Sequence, residues 1–266
     1  MEAVSPSSDG RRPRPPAARV LSVIIGTSLL HATLVVAARR GLVPNVVLAG
    51  LGLGASVLVG AVGEWLVHRF LMHRRWRPPL LRAIYDLHHR GHHFIHYTPA
   101  RYVHDGPINY IPVWPPQPAV MCDSAWSRVL SMGAQWLFYG TVAAATVVLP
   151  TALLAENPWF TASFCGGLAV ELWLFVRMHD AVHYPGQSAL EKLPFFGFLD
   201  RHHYLHHLDT EANTNFLLPL GDWLMGTLRT RATIWEQAHF PSYVEARSRK
   251  VQELPLAPPT EVAEAA

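Results

Sequence analysis

Charged side chains are scarce in this chain. Asp, Glu, Lys and Arg make up 15% of its 266 residues, while 50% are hydrophobic. An ordinary soluble domain has about a quarter charged residues. The hydrophobic excess is concentrated in four apolar runs, namely Val20–Ala38, Val43–Leu66, Ala134–Ala155 and Trp159–Val176. Each approaches the ~20 residues that a helix needs to cross a bilayer. The sequence therefore predicts an all-α integral membrane bundle of about four transmembrane helices.

Cysteine is also scarce, since only Cys122 and Cys165 occur. This excludes a disulfide framework and a C-x-x-C motif. The net charge of +3 is spread along the borders of the apolar runs. It lacks the single dense basic face that a nucleic-acid partner requires, so no nucleic acid is expected. Arg39-Arg40 stands where a cleaved signal peptide would have small residues, which favours a retained first span.

The distribution of basic residues predicts the orientation. Eight Lys or Arg lie between His68 and Arg128, another eight follow Val176, and none lies in the turn around Asn157. The positive-inside rule then places both regions and both termini on the cytoplasmic side, although Arg39-Arg40 weighs mildly against this. Membrane lipid is the expected surrounding. We predict poorly ordered tails at residues 1–18 and 241–266 around one membrane domain at 19–240.

Histidine, in contrast to the charged residues, is abundant, with 16 in the chain. Ten histidines form four clusters at the borders of the apolar runs, and we predict that they are metal ligands: His68, His73, His89, His92, His93, His179, His183, His203, His206 and His207. Neutral imidazole binds first-row transition metals near pH 7. Ten imidazoles exceed one coordination sphere and suit two ions, held in a cytoplasmic histidine-rich helical cap.

Helix geometry groups these ligands further. Positions i, i+3 and i+4 share a helical face, so the members of each of the last three clusters should converge. His68 and His73 are five residues apart, about 140° around an ideal α-helix. We therefore expect this pair to supply one ligand to each of two metals, unless the helix is irregular there.

Missing motifs narrow the choice of metal. There is no H-E-x-x-H of a zinc protease, and the single Glu-x-x-His, from Glu236 to His239, lies outside the clusters. Coordination by imidazole alone suits iron in oxygen chemistry, and geometry would also admit zinc, copper or manganese. Two iron ions are the favoured cofactor, for which zinc could substitute in a structure.

At this point the motifs resemble a known family. Glu64-Trp-Leu-Val-His68-Arg-Phe-Leu-Met-His73 and His89-Arg-Gly-His92-His93 resemble the first two histidine boxes of the fatty acid hydroxylase/sterol desaturase superfamily. Asp180-Ala-Val-His183-Tyr184 is similar to its third segment. His203-Tyr-Leu-His206-His207, followed by Asp222-Trp-Leu-Met-Gly-Thr227, is similar to its closing box. The first box is most similar to fatty acid 2-hydroxylases, with sterol or carotenoid enzymes as the alternative.

The resemblance implies a membrane di-iron oxygenase that uses O2 and two electrons to hydroxylate, or desaturate, a lipid-like substrate. Unlike fungal and animal 2-hydroxylases, this sequence shows no segment that resembles a haem electron-donor domain, and we expect none to be fused to the histidine boxes. The resemblance therefore implies a separate redox partner, either a ferredoxin or a haem electron-transfer protein with its reductase. Pro185-Gly-Gln and Pro194-Phe-Phe-Gly interrupt the stretch between His183 and His203, so the substrate type is not carried over.

Several further residues are candidates for supporting roles. A metal-bound imidazole usually donates its second N–H to a carboxylate or a carbonyl. Five residues near the boxes are candidates to support the ligands in this way: Glu64, Asp180, Asp200, His88 and His202. We expect His31 to be a packing residue and Glu171 to face the bundle interior, because both lie within apolar runs. The aromatic and proline-rich segment 97–118 is either a lid for an acyl chain or a plain loop.

Two functions from other classes compete with the oxygenase. A histidine-rich membrane metal transporter or sensor needs ligands deep within the spans, whereas these clusters border the spans. A bis-histidine haem protein needs paired histidines on facing spans and would show a Soret absorbance.

Overall fold

The structure is a computed structural model that describes residues 15–104, 140–186, 188–248 and 250–251. The described chain is almost entirely helical. Its strands are two-residue segments, β1 (Val103–His104) and β2 (Lys250–Val251), which pair in parallel.

Within the described ranges, three helices are long and apolar enough to cross a membrane. They are α1 (Ala17–Arg39), α2 (Asn45–Leu66), which continues as the π-helix π1 (Val67–Met72), and α5 (Pro158–His183). A shorter apolar helix covers Gly140–Ala155 and comprises π3 (Ala144–Val148) and α4 (Leu149–Ala155). It corresponds to the predicted third run, of which residues 134–139 lie outside the described part.

The remaining helices lie between and after the long ones. Before α4, the chain forms α3 (Pro79–Tyr85), π2 (Asp86–His96) and a 3₁₀ turn at Pro99–Arg101. After α5 come a 3₁₀ turn at Ala189–Lys192, α6 (Phe196–Leu208), α7 (Leu220–Met225), α8 (Ile234–His239) and α9 (Tyr243–Ser248).

The sequence explains where the long helices begin. Pro16, Pro44 and Asn157 occupy the N-cap positions of α1, α2 and α5 in non-helical conformations. Proline lacks the N–H that a helix interior needs, so it is tolerated at this end. The Asn157 side chain also accepts a hydrogen bond from the Phe160 backbone N–H at 3.1 Å. This cap satisfies one of the free N–H groups at the start of α5.

Helices α2 and α5 pack closely because glycine allows it. A Cβ added at Gly52 would lie 2.6 Å from the Phe160 backbone oxygen, and one at Gly167 would lie 2.1 Å from the Ser56 hydroxyl oxygen. Many other side chains point outward; Leu29 is 63% and Leu153 is 66% exposed. Outward apolar side chains on long helices are what a lipid solvent requires.

The two ends of the bundle differ. The C-terminal ends of α2 and α5 both lead into the histidine clusters, and the Arg19 side chain at the start of α1 donates to the Trp223 and Leu224 carbonyls there. At the opposite end, Arg39 pairs with Glu156 at 3.0 Å. Arg39 and Arg40, which weighed against the predicted orientation, therefore lie at the end away from the histidines. Arg39 forms its ion pair there.

The described part of the C-terminal segment, residues 241–248 and 250–251, is more ordered than the sequence suggested. The predicted tail 241–266 contains helix α9, in which Ala246 is fully buried. Arg247 donates to the Val182 carbonyl at 2.5 Å and pairs with Asp200 at 2.9 Å. These contacts attach α9 to α5 and α6. The predicted tail at residues 1–18 overlaps α1, which begins at Ala17.

Candidate metal centre

Nine histidines form two groups whose ring nitrogens lie within 4.8 Å of one another in each group. The first group contains His68, His73, His88, His93 and His206. The second group contains His92, His183, His203 and His207. Most of these side chains are buried. The two groups could each hold a metal ion.

Two π-helical segments explain the membership of the first group. In π1 the His73 N–H donates to the His68 carbonyl at 3.1 Å, an i→i+5 bond that brings both side chains to one face. Their rings stack with centroids 4.8 Å apart. The sequence prediction that this pair divides between two metals is wrong, because it assumed an α-helix. The irregular helix that was left open as the alternative is what the structure has.

The segment π2 repeats this arrangement. His88 and His93 are also five residues apart, and both belong to the first group, whereas His92 belongs to the second. The Tyr97 N–H donates to the His92 carbonyl at 2.8 Å, which is again an i→i+5 bond. The π-helix therefore places His88 in the first group. From α-helical spacing, His89 was the expected ligand at this position.

The second group follows ordinary α-helical spacing. His203 and His207 are i, i+4 neighbours on α6, and both belong to it, while His206 between them belongs to the first group. His183 joins them from the end of α5. Helix α6 therefore supplies ligands to both groups from two faces.

The spacing of the ring nitrogens fits shared metal ions. In the first group, the His88 Nε2 lies 2.9 Å from the His68 Nε2 and 3.2 Å from the His93 Nε2. In the second group, the His203 Nε2 lies 3.1 Å from the Nε2 atoms of both His183 and His207. Metal–nitrogen bonds of about 2.0–2.1 Å place two ligand nitrogens about 2.9 Å apart at 90° and about 3.4 Å apart at a tetrahedral angle.

Backbone carbonyls determine which nitrogen is free to bind. The Nδ1 atoms of His68, His183 and His207 donate to the carbonyls of residues 214, 102 and 97 at 2.5, 2.8 and 2.6 Å. A carbonyl only accepts, so each Nδ1 carries the proton and each Nε2 presents a lone pair. The Nε2 lone pairs of His183 and His207 therefore meet at the His203 Nε2, which holds at most one proton. A cation satisfies such a cluster of lone pairs.

Other ring nitrogens in the groups are buried without a hydrogen-bond partner among the described residues. They include the Nε2 atoms of His73, His92 and His206. The His206 Nδ1 donates to the Ala212 carbonyl at 2.7 Å, so its Nε2 is unprotonated as well. A buried polar atom without a partner is costly unless a ligand occupies it. The donor set therefore fits metal ions.

Burial keeps these imidazoles neutral. It lowers the pKa of His92, His93 and His203 well below the usual value, and the neighbouring histidines lower each pKa further. The same two causes, burial first, act on His73 and His88. Protonation would place positive charges side by side in a site of low dielectric. The histidines are therefore in the form that binds metals at neutral pH.

The two groups adjoin each other. The rings of His93 in the first group and His207 in the second have centroids 4.3 Å apart, and those of His88 and His92 are 5.1 Å apart. Consecutive residues in π2 and in α6 serve different groups. The two groups therefore lie side by side and not in separate parts of the described fold.

Two predicted ligands lie beside the groups. The His89 ring is half-buried, and its Nδ1 forms a 2.6 Å hydrogen bond with the Nδ1 of His73. The His179 ring contacts those of His92 and His203 at centroid distances of 4.9 and 4.8 Å. His179 therefore borders the second group, while His89 lies between the first group and the surface.

A buried loop after α6 supports the ligands. The Thr214 carbonyl accepts from His68, and the Asn215 carbonyl accepts from the His202 Nε2 at 2.8 Å. Glu64 accepts from the Phe216 N–H at 2.6 Å and from the Asn215 amide at 3.2 Å. Of the predicted supporting residues, Glu64 thus acts on the loop, and His202 is buried against it outside both groups.

Asp222 anchors the same loop and was not singled out from the sequence. Its Oδ1 accepts from the Thr214 N–H at 3.0 Å and from the Thr227 hydroxyl at 2.6 Å, and its Oδ2 accepts from the Asn215 N–H at 2.7 Å. The side chain is fully buried. The polar run Asn213-Thr-Asn215 in a hydrophobic chain was the available signal, since buried polar residues need partners.

The other two predicted carboxylates act at a greater distance. Asp200 accepts from the Tyr102 hydroxyl at 3.0 Å and pairs with Arg247, while the Tyr102 carbonyl accepts from His183. Burial raises the pKa of Asp200 to about 6 despite the nearby Arg247. Asp180 lies 3.8 Å from Arg177. Tyr97 and Tyr102 lie in the predicted lid segment, most of which falls outside the described residues.

His31, which the sequence predicts to be a packing residue, lies away from both groups. The His31 Nε2 pairs with the Thr151 hydroxyl at 2.8 Å, and its ring packs on Phe164 with centroids 4.8 Å apart. His31 thus contacts neighbouring helices within the bundle.

An apolar cavity of 410 Å³ reaches the first group from the membrane bundle. It lies between α2, α5 and the helix Gly140–Ala155, and its lining includes Val59, Leu168 and Phe175. At one end it is lined by Glu64, His68 and Met72. Such a volume is typical of sites for small apolar ligands.

A second, polar pocket of 600 Å³ lies outside the first group. Its lining consists of Arg75, Tyr85, His89, Arg90 and Phe94. His89 lines this pocket and hydrogen-bonds His73, so the imidazole of His89 links the pocket to the first group.

Comparison with known proteins gave no match to a family model, a curated protein or a solved structure.

Proposed function

We propose that this protein is an integral membrane oxygenase that hydroxylates, or desaturates, a lipid-like substrate at a non-haem di-iron centre. The proposal rests chiefly on one observation, namely two adjoining histidine groups at the end of an apolar cavity. The histidine-box resemblance favours iron, which imidazole ligands bind. Zinc, copper and manganese remain the alternatives that metal analysis would distinguish.

The metals, when bound, would supply the activation of O2 for attack on an unactivated C–H bond. Hydroxylation consumes one O2, two electrons and two protons, and yields the alcohol and water. The chain contributes position and environment. Carbonyls of the described loops orient the imidazoles of His68, His183 and His207, and Asp222 fixes one of those loops.

The cavity would bind the substrate chain. Its lining is mostly aliphatic, and His68 and Met72 form the end at the first group. An apolar lining excludes water, so a C–H bond placed there meets no competing solvent. We therefore assign the first group as the one that faces the substrate.

The electrons would come from a separate redox partner, a ferredoxin or a haem electron-transfer protein with its reductase. Arg75 and Arg90 line the polar pocket in which His89 leads to the first group. Opposite charges steer partners to each other, so an acidic carrier protein fits this face.

The membrane arrangement is part of the proposal. We propose that the helix Gly140–Ala155 is the described part of a fourth span, and that the histidine end of the bundle is cytoplasmic, with both termini on that side. The contact of Arg19 with α7 supports placing the amino terminus at the histidine end.

Lipid analysis tests the function directly. Membranes that contain the protein and a reductant should accumulate lipids heavier by one oxygen, or lighter by two hydrogens, compared with membranes that contain His206→Ala. The matched control is His239→Ala, because His239 is exposed and hydrogen-bonds only within its own helix α8 among the described contacts. Unchanged lipids with fully iron-loaded wild-type protein and a competent reductant contradict the proposal.

The same preparations test the rival functions. Metal uptake into vesicles without O2 consumption would favour a transporter, and a Soret absorbance would favour a haem protein. Among the described residues, no cluster of three or more His, Cys, Asp or Glu with metal-ligand spacing lies in the middle of the spans, which favours the oxygenase over the transporter.

A further inference from the structure

Glu171 places a carboxyl group inside the membrane bundle, at the wall of the apolar cavity. It lies in the middle of α5, and its Oε1 is buried without a hydrogen-bond partner among the described residues. The carboxyl rests against α2 at Gly60, where an added Cβ would lie 1.8 Å from Oε2. Glycine at this position makes the room that the carboxyl occupies.

An acidic side chain within a membrane span is costly and is usually functional. A buried polar atom without a partner adds to that cost. Hydrogen bonds to the loop 214–216 connect the histidines with Glu64 and Asp222. No hydrogen bond among the described residues of the metal centre involves Glu171. Glu171 lines a cavity that is otherwise largely apolar, so its side chain is a polar group that an occupant of the cavity would meet there.

The distance from Glu171 to the first group is set by α2. Its carboxyl contacts Gly60, and His68 follows eight residues later at the end of the same cavity. Eight residues correspond to about 12 Å along a helix. An extended hydrocarbon chain covers this distance with about nine methylenes, given C–C bonds of ~1.5 Å.

We propose that Glu171 binds a hydroxyl group of an otherwise apolar substrate chain and thereby sets which carbon reaches the first histidine group. The substrate class is a chain that carries a hydroxyl about nine carbons from the attacked position. A hydroxyl donates to the carboxyl of Glu171 without bringing charge into the bundle. The placement of the attacked carbon depends on the proposed oxygenase function, whereas hydroxyl binding at Glu171 does not.

Photocrosslinking tests the binding without any turnover. The full chain in nanodiscs is exposed to a fatty alcohol with a diazirine about nine carbons from its oxygen, and separately to the matched methyl ether, which cannot donate. The alcohol should label the segment His68–Met72 at least tenfold more than the ether. Equal labelling by the two probes in the wild-type protein overturns the proposal, and this comparison needs no variant.

Variants then assign the effect to the carboxyl. Glu171→Leu should abolish the preference for the alcohol, and Glu171→Gln should retain part of it, because an amide oxygen also accepts a hydrogen bond. Glu156→Leu is the matched control, since Glu156 lies exposed at the far end of the bundle. An unchanged preference in Glu171→Leu, or stronger labelling by the matched amine, also overturns the proposal.

The outcomes separate this inference from the proposed function. Labelling selective for the alcohol in a protein that never oxidises lipid would refute only the oxygenase. Oxidation of lipid with equal labelling by alcohol and ether would refute only the role of Glu171. If both proposals hold, Glu171→Leu should spread oxidation over several carbons while metal content stays unchanged.

Discussion

His68 and His73 lie five residues apart in sequence and stack face to face, with ring centroids 4.8 Å apart. The π-helical turn between them makes this possible, because its i→i+5 bond returns the chain to the same face after five residues. His88 and His93 are also five residues apart, in the second π-helix, and belong to the same group. π-Helical segments often occur at functional sites, and here two of them set the membership of the first histidine group.

The first prediction separates two neighbouring histidines. His88→Ala should lose about half of the bound metal, because His88 contributes an Nε2 within 3.2 Å of two other ligand nitrogens. His89→Ala should keep both metals, because His89 lies outside both groups and its hydrogen bond to the first group is the one to the Nδ1 of His73. Elemental analysis of the purified proteins measures the metal content. Equal losses in the two variants would contradict the grouping.

The second prediction concerns the effect of Asp222 on metal affinity. Asp222→Asn should weaken metal binding by roughly 10- to 100-fold, the range typical of residues that orient ligands. An amide cannot accept at both of its ends, so at least one of the bonds to the Thr214 and Asn215 N–H groups is lost. Competition with a metal-binding dye gives the affinity. Glu156→Gln is the control, since an exposed ion pair contributes at most about 1 kcal/mol.

The third prediction concerns pH after removal of the metals. Burial lowers the pKa of His92, His93 and His203 in the folded protein. In the unfolded chain each titrates near ~6.5, so below that pH the unfolded state binds more protons. The Tm of the chelator-treated protein should therefore be constant above about pH 7 and fall as pH drops below ~6.5.

Restoring the metals provides the control for this titration. Metal-bound nitrogens resist protonation, so the metal-loaded protein should keep its Tm to a lower pH. Thermal unfolding followed by tryptophan fluorescence gives both curves. A chelator-treated protein whose Tm stays flat from pH 8 to 5 would contradict the burial of neutral imidazoles.

The fourth prediction tests the close packing of α2 on α5. Gly52→Leu should destabilise the protein by about 1–3 kcal/mol or more, since even a Cβ there meets the Phe160 carbonyl at 2.6 Å. Gly54→Leu lies two residues away, has no atom within 4 Å of its added Cβ, and should leave the stability unchanged. Thermal unfolding in the same detergent compares the two variants.

The fifth prediction concerns the redox partner. Replacing both Arg75 and Arg90 by Gln should raise the KM for an acidic electron donor several-fold and reduce its dependence on salt, while metal content stays unchanged. Arg201→Gln, an exposed arginine on α6, should leave KM unchanged. A double variant with wild-type KM and salt dependence would place the donor elsewhere.

The apolar runs and the histidine clusters alone predicted helices suited to a membrane and a histidine-rich metal site. Apolar runs predict helices in lipid because a lipid-exposed backbone must satisfy its own hydrogen bonds. Three such helices are confirmed as long enough to span. Clustered histidines predict a metal site through ligand chemistry alone, and buried histidine groups are what the structure has.

Tertiary structure decided which histidine belongs to which group. The π-helical turns have no signature in hydropathy or in i, i+4 spacing, so His88 took the place expected for His89. The loop that orients His68 reaches it from 146 residues away, and Asp222 holds that loop through backbone N–H groups. Such contacts depend on how distant segments pack, which local sequence patterns do not encode.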